Sequence, residues 1–84
     1  MPHYAVYLHL ELLDVVPKRG AQPQKILRFI RSLADDPFAA GDFSDKDDAL
    51  RRREIKIIGD YATTYQVDHP GKIVMIMDIS LADQ

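Results

Sequence analysis

Cysteine is absent from this chain. That excludes a disulfide framework and any thiolate metal site, and it agrees with a cytoplasmic location. Long apolar runs are absent too: none approaches the ~18 residues that a membrane-spanning helix needs. No secretory signal precedes the first β-prone run. The expectation is a cytoplasmic chain that makes no use of a membrane. Internal repeats and low-complexity segments are missing, and so is a large charge of either sign, the net value being −2 over 84 residues. A single domain of that length (1–84) buries only about 60–65% of the surface its unfolded chain exposes, so its core is thin.

Charge is present, but it is segregated. Residues 18–31 carry five basic side chains and no acidic one. Residues 35–48 carry six aspartates against Lys46, and residues 51–56 return four basic side chains against Glu54. A mildly acidic protein can therefore present a basic patch, because local fields govern contact with nucleic acid.

Residues 51–79 organise the chain: three β-prone runs separated by two turn signals. Gly59-Asp60 suits a two-residue type II′ hairpin, where Gly takes φ > 0 without penalty. Asp68-His69-Pro70-Gly71 suits a type II turn, with Pro at φ near −65° and Gly at φ > 0. A three-strand antiparallel meander is expected. Tyr61, Thr63, Tyr65 and Val67 share one face of its middle strand, and Ala62, Thr64, Gln66 and Asp68 share the other. Residues 73–79 are apolar almost throughout, which predicts burial on both faces.

Before the meander, residues 4–10 read as a strand with Tyr4, Val6, Leu8 and Leu10 on one side. Residues 11–16 form at most a short helical turn, ended by Pro17. Residues 18–22 read as a loop. Pro23 suits the start of a helix running to about Asp35, with Ile26, Leu27, Ile30 and Leu33 on its apolar face and Asp36-Pro37 as its stop. Residues 38–50 read as an irregular loop held by Phe38 and Phe43. The fold class expected is α+β: an antiparallel sheet of about four strands with one or two helices on one face.

Two stretches resemble the RelE/ParE toxins of type II toxin–antitoxin systems. One is Phe29-Ile30-Arg31-Ser32-Leu33-Ala34-Asp35-Asp36-Pro37-Phe38, similar to the end of that family's helical hairpin. The other is Glu54-Ile55-Lys56-Ile57-Ile58-Gly59-Asp60-Tyr61-Ala62-Thr63-Thr64-Tyr65-Gln66-Val67, with 73–79 as the last strand. With the first strand, the likeness covers most of the chain and rests on aromatic and apolar spacings and a turn. It implies a RelE/ParE-like fold, a bacterial origin and a cognate antitoxin encoded alongside. It also implies either ribosome-dependent mRNA cleavage or inhibition of DNA gyrase. The ribosome-dependent members carry two basic residues on the strand equivalent to 54–58; Lys56 fits one, and Glu54 occupies the other. Where they place an arginine after the aromatic equivalent to Tyr61, this chain has Ala62. After the last strand, Ser80-Leu81-Ala82-Asp83-Gln84 supplies neither their basic nor their aromatic residue. The resemblance thus implies an endonuclease that is weak or inactive, or a non-enzymatic gyrase inhibitor. An unrelated small α+β binding module is the third class, and a homo-oligomer is compatible with all three.

Cleaving an RNA phosphodiester needs a base for the 2′-hydroxyl, an acid for the leaving oxygen, and cations for the extra phosphate charge. Arg51, Arg52, Arg53 and Lys56 form the candidate nucleic-acid patch, with Lys56 and Arg53 as the catalytic candidates. His69 and Asp78 serve as acid or base only if the fold brings them to one face; on their own they read as a turn residue and a hydrogen-bonded structural aspartate. Tyr61 and Tyr65 can stack on a base, but their alternation with Val67 favours core packing. His3 and His9 lack a third ligand at a useful spacing, and the aspartates of 35–48 lack the spacing and closing glutamate of a calcium loop. No metal and no cofactor is expected.

Overall fold

The structure, a computed structural model, describes residues 3–82. Its elements in chain order are β1 (Ala5–Leu8), a 3-10 helix (Leu10–Val15), α1 (Ala21–Ser32), β2 (Phe43–Lys46), β3 (Arg52–Ile58), β4 (Tyr61–Asp68) and β5 (Ile73–Leu81). The strands form one sheet in the order β1-β5-β4-β3-β2. Strands β2 to β5 pair antiparallel in sequence, and β1 lies parallel to β5. The class is α+β and the meander is present, but the sheet has five strands and is mixed. A parallel pair needs a long crossover, and everything between β1 and β5 supplies it. The order of elements in the sequence does not reveal that direction.

Strand β2 replaces the expected loop. Phe43-Ser44-Asp45-Lys46 has no apolar alternation, so propensity gives no sign of it. Side chains from its neighbourhood hold it instead. Asp45 lies directly across from Arg53 and pairs with it. The Asp42 carboxylate accepts the Ile57 N–H at 2.8 Å, and Glu54 accepts the Gly41 N–H at 3.0 Å. A β-carbon on Gly41 would sit 2.5 Å from the Ile55 carbonyl oxygen, so only glycine lets this segment approach β3 so closely.

One face of the sheet carries the core. Ile26, Ile30 and Leu33 of the α1 region and Val16 after the 3-10 helix pack on Tyr61, Tyr65, Val74, Ile76 and Ile79. Phe29 joins them edge-on to Tyr65, with ring centroids 5.5 Å apart. Leu27, expected on this face, is only half-buried. Helix α1 begins at Ala21, before Pro23, because the N–H groups of a first turn have no intrahelical partner anyway. It ends at Ser32, earlier than expected. There the Ser32 hydroxyl donates to the Phe29 carbonyl at 2.6 Å, and tight turns carry the chain to Asp36.

Among the described residues, no helix lies on the opposite face. Strand β5 was expected to be buried on both faces; instead it alternates, with Val74, Ile76 and Ile79 buried and Met75 and Met77 exposed at 47% and 43%. A bulge preserves this pattern. Thr64 faces Asp78 while Tyr65 faces Ile76, which leaves Met77 unpaired. The extra residue shifts the parity, so Asp78 points away from the core and Ile79 into it. Strand β1 is shorter than expected, and Leu10 has left it for the 3-10 helix and is exposed.

Both turns form, one of them differently. Of the two residues in the β3–β4 loop only Gly59 has positive φ, at 59°, as a II′ hairpin requires. In the β4–β5 loop Gly71 does not take positive φ; Lys72 does, at 56°. The Asp68 carboxylate accepts the Gly71 N–H at 3.1 Å, and Lys72 N–H bonds to the His69 carbonyl. This side-chain turn moves the reversal one residue along and displaces the expected type II geometry.

Candidate functional site

The four candidate cations enter the sheet together and then separate. Along β3, Glu54 faces Tyr65 and Lys56 faces Thr63, so both lie on the helix side. Arg52 shares that side and donates from Nε to Glu54 at 2.7 Å. Arg53 lies on the open side, where its Nε and a terminal nitrogen grip both oxygens of Asp45 at 2.8 and 2.9 Å. Arg51 precedes β3 and donates from Nε to Asp47 at 3.0 Å. Lys56 Nζ stands 3.7 Å from Asp42. The catalytic candidates Lys56 and Arg53 are therefore not brought together, because neighbours at odd spacing in a strand point to opposite faces.

Each cation thus has a carboxylate, and the carboxylates respond. The Arg51 N–H and the Gln66 amide, with the Arg51 charge and the Ala49 N–H, hold Asp47 down at about 2. Desolvation opposes the charge on Glu54, but hydrogen bonds from Arg52 and the Gly41 N–H outweigh it and lower its pKa. The bond to Asp45 raises the Arg53 pKa. The aspartate cluster is structural rather than idle: Asp42 and Asp45 tie β2 to β3, and Asp47 closes the turn that leads into β3.

His69 lies in a different setting from the simple turn expected. Its ring stacks on Phe38, with centroids 4.6 Å apart and planes 13° apart. Its Nδ1 lies 3.0 Å from the Tyr4 hydroxyl, and the Tyr4 ring stands edge-on to both. Phe38 and His69 form one wall of a groove of about 860 Å3, and Arg51, Arg52 and Glu54 line another part of it. No spacing in the sequence joins Phe38 to His69. Topology does, by laying the segment after α1 beside the β4–β5 turn. Asp78 is not part of this group. It lies five residues along β5 from Ile73, roughly 16 Å at strand rise, and it faces Thr64.

Tyr61 and Tyr65 are core residues. Their hydroxyls donate to the Val15 and Ala39 carbonyls at 3.2 and 2.7 Å. Burial, with help from Glu54, Asp36 and Asp42, pushes the Tyr65 hydroxyl up to about 12. His3 pairs with the exposed Asp35 at 3.2 Å, and His9 precedes the 3-10 helix. Among the described residues, no three His, Asp or Glu side chains come together in a metal-binding group. No described helix is long and apolar enough to cross a membrane. Ala62 faces Ile57 and Ser80; Asp83 and Gln84 lie outside the described residues.

No family model matches the chain, and no curated protein matches it.

Proposed function

We propose that this chain is the toxin component of a type II toxin–antitoxin pair, of the RelE/ParE kind, and that its mRNA cleavage is feeble or nil. The observation that carries the reading is the open face of the sheet. Both helical segments lie on the other side, and Tyr7, Met75, Met77 and Phe43 stand exposed beside half-buried Ile55, Ile57 and Ile73. Exposed apolar side chains without their own cover, here set among Arg53, Thr64, Gln66 and Asp78, mark a surface for a partner. In this reading a cognate antitoxin segment covers it and reaches the Arg51–Arg53 charges at its rim. The resemblance of residues 29–38 and 54–67 to that family supplies the partner's identity.

The paired cations support the feeble activity. A phosphate competing for Lys56 or Arg53 must displace Asp42 or Asp45, and Ala62 adds no charge. The same pairing favours a second reading, inhibition of DNA gyrase without catalysis, which needs no phosphodiester chemistry. Cell-free translation with mapping of mRNA ends on stalled ribosomes tests the first, beside a DNA supercoiling assay for the second. Weak arrest is expected, abolished by Lys56→Ala and reduced less by Arg51→Ala. Strong, site-specific cleavage that survives Lys56→Ala contradicts the assignment.

A further inference from the structure

We infer that a second copy of this chain adds to the β1 edge of the sheet, the two β1 strands pairing antiparallel about a two-fold axis at Tyr7. The outer side of β1 is open: the sheet order ends there, and no described strand pairs with it. Backbone groups of successive strand residues point to opposite sides. The Ala5 N–H bonds inward to the Lys72 carbonyl, whereas the Tyr4 N–H bonds outward to the Ala34 carbonyl. Ala5 and Tyr7 therefore serve the ladder to β5, and Val6 and Leu8 turn their N–H and C=O groups out of the sheet.

The far edge of the sheet is guarded and this one is not. Strand β2 carries Asp45 and Lys46 and is flanked by Asp42, Asp47 and Asp48. Charge of that kind on an edge strand resists pairing. Strand β1 reads Ala-Val-Tyr-Leu, with no charge, no proline and no bulge. Its Tyr7 is 56% exposed, next to the exposed Met75 of β5. An uncharged strand meets its own copy without repulsion, and the length of the open lane also fits itself. Ala34 closes the lane before Val6, and the chain leaves it for the 3-10 helix at Leu10.

Only a pairing centred on Tyr7 uses every outward group. Val6 then exchanges two hydrogen bonds with Leu8 of the second copy, and Leu8 exchanges two with its Val6. A two-fold axis perpendicular to the sheet keeps both open faces on one side. Tyr7 meets Tyr7 of the second copy as a non-hydrogen-bonded pair, with Cα atoms about 4.5 Å apart. The two exposed rings cover each other, and the two five-stranded sheets become one. So short a contact belongs with the small, transient interfaces, below about 1,200 Å2 in total. The dilute chain is therefore monomeric, and the dimer grows with concentration. The inference rests on the sheet edge and not on the toxin reading, and its test uses the chain alone.

Sedimentation velocity from micromolar to millimolar concentration should show wild type shifting from monomer towards dimer. Tyr7→Lys sets two like charges face to face and should weaken association about tenfold or more. Ser44→Lys, on the β2 edge, should leave it unchanged. A second readout is covalent. The chain has no cysteine of its own, and a close cross-strand pair lies within disulfide reach, with Cα atoms about 4.4–6.8 Å apart. Under mild oxidation Tyr7→Cys should form a linked dimer well ahead of Ser44→Cys. Circular dichroism confirms that each variant is folded. Wild type that stays monomeric at every concentration overturns the inference. So does association indifferent to Tyr7→Lys, and so does Tyr7→Cys that links no faster than Ser44→Cys.

Discussion

The two faces of the sheet are made by the same strands and carry opposite loads. On the helix side, Tyr65, Ile26, Leu33 and Val74 are fully buried, and the Tyr61 and Tyr65 hydroxyls each have a carbonyl to donate to. On the open side, Tyr7 and Met75 at one edge and Ile55 and Phe43 at the other have no cover of their own, with Thr64 and Gln66 between them, and Tyr7 is 56% exposed. Alternation alone explains how one strand serves both. It does not explain why the second face carries exposed apolar side chains among its polar ones, since stability requires only one buried face. That surplus is the argument for a partner.

Substitutions on the two faces should therefore separate stability from binding. The largest effect is expected on the helix side. Ile30→Ala empties a core position and should cost about 2–5 kcal/mol in urea unfolding. Tyr7→Ala on the open side should stay within about 0.5 kcal/mol. Similar losses at the two sites would erase the distinction.

A smaller effect of opposite sign is expected at Thr63. It is fully buried on the helix side, and its hydroxyl has no hydrogen-bond partner among the described residues. A buried, unpaired hydroxyl costs more than a methyl group of the same shape. Thr63→Val should raise stability by about 1 kcal/mol, and a loss on the same scale would mean that the hydroxyl has a role.

The smallest effect concerns the connection that leads from β2 into β3. Asp47 is held at about 2 against its usual 3.8. A lowered folded-state pKa adds stability that is fully present above about 4 and is lost as pH falls towards 2. Asp47→Asn should remove part of the acid sensitivity of the unfolding midpoint in that window. An unchanged acid limb would show that the turn contributes nothing to it.

Much of this architecture can be read from the residues, and the rest cannot for physical reasons. The hairpin at Gly59 and the alternation of Tyr61, Thr63 and Tyr65 carry local signals, and so does the placing of Arg53 opposite Lys56. Strand β5 misleads because its composition is apolar on both sides, and because the bulge at Met77 shifts the parity midway. Strand β2 is silent because carboxylates bonded to β3 hold it rather than propensity. The groove is silent for a further reason. Phe38, His69 and Arg51 come from three separate segments, and only the packing of the loop after α1 against the β4–β5 turn joins them.

The most direct test of the open face is calorimetry of the folded chain with the product of the adjacent gene. Wild type should bind and gain melting temperature in the complex. The double variant Tyr7→Asp with Met77→Asp should keep its fold and lose affinity by tenfold or more, about 1.4 kcal/mol. Binding that is absent in wild type, or unchanged in the double variant, would contradict the claim that this face is where the partner sits.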